Sequence, residues 1–247
     1  MIMAQNVQNL EKRMRDFDIS YAEIKENIAR AAEVSGRKYE DIRLLAATKT
    51  VPVELINYAA EKGIDLMGEN RVQELDEKYD RLSFKKDQIH FIGTLQTNKV
   101  HNLIGRVGMI ESVNSERLAG YISRISLERN TVTDVLVEVN VGAEATKSGA
   151  DMQSVTGLIE KISGFSGVRV RGLMAIPPAT DDQYELKMNF SNMYNMFIDI
   201  RDKKIDNISM DFLSMGMSHD YREAIECGAN IVRIGSALFG ARSYARD

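Results

Sequence analysis

Lys49 and two Gly/Ser pairs, Gly216 with Ser218 and Gly235 with Ser236, are the residues whose types and settings point to chemistry. Lys49 follows the small or apolar run LLAAT and precedes Val51 and Pro52, so its stem is expected to be desolvated. Burial lowers the pKa of an amine and makes it a nucleophile toward carbonyls. Read alone, the same lysine can also snorkel to solvent. The Gly/Ser pairs stand where FLSMG runs into a helix near His219 or Asp220, and where NIVRIG runs into a short helical turn at Ser236. Glycine lets a backbone approach a ligand closely, serine offers a hydroxyl, and the free N–H groups of a helix start attract an anion. Taken singly, these are equally ordinary turn glycines and N-caps. Two such junctions on neighbouring parallel strands would face one phosphate.

The elements that must position these residues are readable as alternating periods. Strands are expected near 44–48, 64–67, 89–92, 109–111, 134–141, 168–173, 210–214 and 231–235. Helices are expected near 52–61, 71–79, 98–103, 116–127, 151–162, 183–203 and 221–227, with a last short turn after Gly235. Eight strands alternating with about eight helices predict an α/β chain folded as one (β/α)8 barrel over residues 1–247. An amphipathic run over 7–35, with Leu10, Met14, Phe17, Ile24 and Ile28 on its apolar face, predicts an extra helical segment within 1–40 packed on that barrel. A doubly wound sheet is the competing architecture. Against it, no GxGxxG follows the first strand, and no linker rich in Pro, Gly or Ser divides the chain.

Barrel closure sets the eighth strand beside the first, and so brings an amine to a phosphate cradle. Pyridoxal 5′-phosphate carries an aldehyde and a phosphate about one pyridine ring apart and fits both ends. Arg233, two residues before Gly235 on the same strand, projects to the same side. An arginine can only donate hydrogen bonds, so facing the pyridine nitrogen it leaves that atom unprotonated and the ring a weak electron sink. On sequence alone, an inward arginine paired with a barrel-interior carboxylate is an equal alternative.

Composition narrows the classes. Hydrophobic content of 44% with 28% charged residues belongs to a water-soluble globular chain. With 32 basic and 36 acidic residues the net charge is −4, which implies no general attraction to nucleic acid or acidic membrane. The N-terminal residues show no signal-peptide core, and no apolar run is long enough to span a bilayer, so a cytoplasmic location is expected. The single cysteine, Cys227, excludes an intrachain disulfide and reads as a packed thiol. No metal site is expected, because His90 and His101 are too far apart for one helical face and His219 stands at a helix start. Glu69 and Glu111 read as solvated or salt-bridged carboxylates, and Lys99 and Lys147 as exposed amines.

Seven motifs, in order, are ATKT around Lys49, GENRVQE (68–74), HFIGTLQTNK (90–99), KSG (147–149), GLMAIP (172–177), SMGMSHD and VRIGSALFG. Together they closely resemble the pyridoxal phosphate homeostasis proteins, single-domain relatives of the barrel half of alanine racemase. The match runs from about residue 40 to the C-terminus. The resemblance implies a barrel of the alanine racemase N-terminal type carrying pyridoxal phosphate as an internal aldimine (Schiff base) on Lys49, with Arg233 near the ring nitrogen. It implies that the phosphate lies among Ser218, Gly235 and Ser236 with Met217 nearby, and that Asn70 and Met174 wall the pocket. Thr48 stands where the family is expected to have Ser, Met67 where Phe, Ile89 where Trp, and Asn230 where Thr or Ser.

The implied role is cofactor buffering and delivery to pyridoxal phosphate-dependent apoenzymes by a monomer or weak dimer, with no catalytic residues assigned. An amino-acid racemase on the same cofactor is the alternative. It needs a base on each face of the ring, and after Gly240 no second domain is expected to supply one. A phosphosugar enzyme would share the phosphate cradle without the lysine-bound cofactor.

Overall fold

The computed structural model describes residues 2–142, 148–178 and 180–240, with side chains from Val7 onward. The elements in order are α1 (Ile2–Val34), β1 (Arg43–Ala47), α2 (Val53–Glu61), β2 (Leu66–Glu69), α3 (Val72–Lys78), β3 (Ile89–Phe91), α4 (Val100–Leu103), β4 (Met109–Val113) and α5 (Glu116–Glu128). There follow β5 (Thr133–Asn140), β6 (Ala150–Asp151), α6 (Val155–Ser163), β7 (Val168–Ala175), α7 (Gln183–Asp202), β8 (Ile208–Ser214), α8 (Tyr221–Glu226), β9 (Ile231–Ile234) and α9 (Ser236–Phe239).

All pairings are parallel, in the order β4-β3-β2-β1-β9-β8-β7-β5, and β4 also pairs with β5. That last pairing closes the sheet into an eight-stranded barrel and rules out the doubly wound alternative. The expected strands lie within two residues of the observed ones. The two-residue β6 was not anticipated. It adds to the end of β5 through Val139 and Ala150, and it delays the next helix to Val155 instead of Asp151.

Alternation along the strands sorts side chains to two faces. Leu45, Leu66, Ile92 and Ile231 pack in one interior cluster and Met109, Leu136 and Met174 in another, with Phe212 touching both. The larger cluster lies outside, between sheet and helices. α1 is one unbroken helix of 33 residues that starts earlier than its apolar pattern suggested. It buries Phe17, Tyr21, Ile24 and Ile28 at helical spacing. Each of the Phe and Ile side chains contributes about 1.5–3 kcal/mol by burial. Phe17 stacks on Phe239 of α9 with ring centroids 5.7 Å apart, tying α1 to the end of the barrel. Gly36, at φ 71, stops the helix: its N–H reaches Glu33 O, and the Arg37 N–H reaches Ala32 O.

Candidate functional site

Lys49 stands two residues past the end of β1, in a tight turn. The Val51 N–H donates to Thr48 O at 3.0 Å, which leaves Lys49 and Thr50 as the central residues. Thr50 takes φ 63, a left-handed conformation usual for Gly or Asn at this position and costly for a β-branched residue. The turn presents Lys49, half-buried, to a cavity of about 350 Å³ whose walls include Gly235 and Ser236 across the β1–β9 seam. The expected meeting of first and last strands therefore holds.

The two Gly/Ser junctions also meet each other. Ser218 Oγ accepts from the Gly235 N–H and from the Ala237 N–H, each at 3.2 Å. Two backbone donors thus converge on one oxygen, and an anion would use them only by displacing that hydroxyl. Gly216 needs its glycine for the protein's own sake, at φ 90 with an added Cβ 2.5 Å from Ala224. Gly235 does not: its φ is −118, and a Cβ there would meet only Ala47, at 3.4 Å. What its missing side chain leaves is room for about one methyl group beside Ala47. Asp220 is less hospitable to an anion. Its carboxylate accepts from the Met217 N–H at 2.6 Å, so that donor is taken, and burial pushes the carboxyl upward. The Met217 side chain itself is exposed.

Arg233 points into the barrel and is buried. Its guanidinium donates to Ser214 Oγ at 2.8 Å and to Ala175 O at 2.9 Å. Ser214 in turn donates to Glu111 Oε2 at 2.6 Å, and Glu111 Oε1 lies 2.6 Å from His90 Nδ1. Because β4 and β8 are not neighbours, this chain of contacts spans the interior. The carboxylate pairing considered for Arg233 is thus present but indirect, through a serine. Only two guanidinium hydrogen bonds are formed among the described residues, so further N–H groups of the fork stay available. Burial holds the guanidinium pKa below its ordinary value, against the charges of Glu111, Asp220 and Glu138. For Glu111, burial pushes upward but the His90 ring, Arg233 and the Ser214 hydroxyl outweigh it, and its carboxyl lies below the ordinary range.

The remaining expected residues are spread more widely. Met174 is buried in the interior beside Met109 and Leu136 and does not line the cavity that Lys49 lines. Asn70 is half-buried, and its Oδ1 has no hydrogen-bond partner among the described residues. Glu69 and Glu111 are buried rather than solvated, each with a basic partner, Lys78 and His90 respectively. Lys99 is half-buried and Lys147 lies outside the described residues. Cys227 is half-buried, its thiol pushed up by burial. Among the described residues no three His, Cys, Asp or Glu side chains converge as metal ligands, and no helix is long and apolar enough to cross a membrane.

Sequence reading missed the contribution of α1. Asn9, Arg13 and Asp16 line the same cavity as Lys49. Their four-residue and three-residue spacing puts them on one helix face, but only the docking of Phe17 against α9 turns that face toward the barrel mouth.

The chain matches the family model described as alanine racemase, N-terminal domain, over residues 19–243. The pyridoxal phosphate homeostasis protein of Aquifex aeolicus (strain VF5) is 42% identical, covering 89% of this chain and 95% of that one. An unknown protein from Bifidobacterium adolescentis, known from its crystal structure, superposes with a TM-score of 0.87 at 33% identity, covering 92% of this chain and 96% of that one. PipY of Synechococcus elongatus PCC7942, solved with PLP bound, superposes with a TM-score of 0.73 at 28% identity over 86% of this chain and all of that one.

Proposed function

This chain belongs to the pyridoxal phosphate homeostasis proteins, and we propose that it acts as one: it holds pyridoxal 5′-phosphate at the barrel mouth, buffers the free aldehyde and releases it to apoenzymes. The observation that carries the reading is the shared cavity of Lys49 and the Gly235–Ser236 junction. When bound, the cofactor supplies an aldehyde that a lysine amine can capture. Lys49, expected to have a desolvated stem, is the amine offered to it. The Ser218 and Ser236 hydroxyls and the first N–H groups of α9 would hold the phosphate, with Ser218 giving up the hydrogen bonds it accepts from the Gly235 and Ala237 N–H groups. Met217 would lie beside that end.

Arg233 would face the ring nitrogen with a donor and keep a proton off it, while Asn70 would bound the ring's far side, with Met174 packed in the interior behind it. An unprotonated nitrogen suits storage over turnover, because it leaves negative charge next to the ring poorly stabilised. We assign no catalytic residue. The whole chain is read as a single domain working in the cytosol, as a monomer or weak dimer.

Borohydride reduction of the loaded protein followed by peptide mapping should find a pyridoxyl group on Lys49. Label confined to another lysine would overturn the assignment. Incubation with L-amino acids in deuterated water should give negligible α-deuterium incorporation. Turnover in the range of about 1 to 1000 per second usual for enzymes would replace this reading with that of an amino-acid racemase or a related catalyst.

A further inference from the structure

Among the described residues, Lys78 is the buried cation that neither the fold nor the cofactor reading uses. It stands at the end of α3 with its side chain 11% exposed. Its ammonium has three donors, and each finds an acceptor: Thr48 O at 3.0 Å, Glu69 Oε1 at 2.8 Å and Glu74 Oε1 at 2.7 Å. Glu69 also receives the Thr48 hydroxyl at 2.8 Å, and Glu74 Oε1 also accepts the Thr50 N–H.

The two main-chain contacts fall on either side of one residue. Thr48 C=O belongs to the peptide before Lys49, and Thr50 N–H to the peptide after it. One ionic cluster therefore grips both peptide planes that flank the Lys49 Cα. The turn it holds is strained, with Thr50 at φ 63, and such strain persists only where surrounding contacts over-determine it. A lone packing role would not require the cluster to reach the backbone on both sides of Lys49.

We infer that Lys78, through Glu69 and Glu74, is a positioning residue that fixes the Lys49 turn so that the amine, rather than the phosphate cradle, meets the ligand in register. The inference rests on the reading of Lys49 as the cofactor amine. It separates two halves of one site: the cradle belongs to β8, β9 and α9, and none of the Lys78 contacts reaches them.

The test compares two ligands on wild type and Lys78→Met. Pyridoxal 5′-phosphate uses both halves of the site, and pyridoxine 5′-phosphate, which lacks the aldehyde, uses only the cradle. Affinity for the first should fall roughly 10- to 100-fold, as for a turn left competent in about one molecule in 10 to 100, while affinity for the second stays unchanged. The pH midpoint of the absorbance band of the lysine-bound cofactor should also move. Equal losses for both ligands, or none for either, would overturn the proposal. If Lys78→Met does not fold, Glu74→Gln on the more accessible partner is put through the same comparison, with the same split expected and the same outcomes against it. Absence of a borohydride-fixed label on Lys49 in the wild type overturns the underlying reading instead, whatever the variants do.

Discussion

The barrel interior and the flank between β2 and α3 each bury an ionic cluster, but the two clusters hold different things. Inside, His90, Glu111, Ser214 and Arg233 are linked side chain to side chain, with Ala175 O as a main-chain acceptor for Arg233. On the flank, Lys78, Glu69 and Glu74 reach the backbone at Thr48 and Thr50. The first arrangement aims a guanidinium across the barrel. The second fixes a turn. Buried ion pairs are weak evidence for stability, since desolvation offsets much of their attraction. Their geometry is the more telling property, and here it places one cluster across the barrel interior and the other against the turn that carries Lys49.

The largest break in that comparison is Arg233→Met. It leaves Glu111 and Glu138 buried without their shared cation, and breaking such a group costs about 3–5 kcal/mol. Urea unfolding measures it, and a loss within about 0.5 kcal/mol, as for a surface substitution, would show that the interior carries no net charge interaction.

A smaller and more informative effect lies in acid. The Glu111 carboxyl is held low, so its contribution is present above the ordinary carboxylate value of 4.5 and is lost as pH falls through the lowered one. Glu69 is the opposite case. Burial pushes its carboxyl up despite Lys78 and the Thr48 hydroxyl, so its contribution is full below 4.5 and is lost as pH rises through the raised value. Glu111→Gln should therefore remove part of the acid-side loss of stability, and Glu69→Gln part of the loss on raising pH above 4.5. Unfolding curves across the acid range that shift in the same direction for both would erase the distinction between the clusters.

The smallest expected change is Thr50→Gly. Glycine accepts φ 63 without the cost of about 1–3 kcal/mol carried by a branched residue, but loses about 0.5–1 kcal/mol of that to the entropy of the unfolded chain. A net gain of about 1 kcal/mol in thermal or urea unfolding is expected if the cluster alone imposes the turn. A loss would mean that the Thr50 side chain contributes to holding it.

Much of this was legible in order along the chain. Strand and helix periods are local, so the eight barrel strands could be placed within two residues, and α1 followed from the spacing of Phe17, Ile24 and Ile28. Lys49 stood out because a charged residue ended an apolar run. The Gly/Ser junctions stood out because glycine and serine recur where strands meet helices, and Ser218 does bond to the backbone of the second junction.

Tertiary structure alone decided the rest. Closure through β4 and β5 is a property of strand number and stagger, which no single strand encodes. The bond from Ser214 to Glu111 joins residues 103 positions apart across the barrel, and no periodicity predicts it. Asn9, Arg13 and Asp16 reach the cavity only because Phe17 docks α1 on α9. The four-residue spacing of Glu74 and Lys78 is visible in the sequence as an ordinary helix-surface pair. That the pair is buried against the Lys49 turn depends on α3 packing against β2, next to that turn, because desolvation comes from the neighbours a fold supplies and not from the residues themselves.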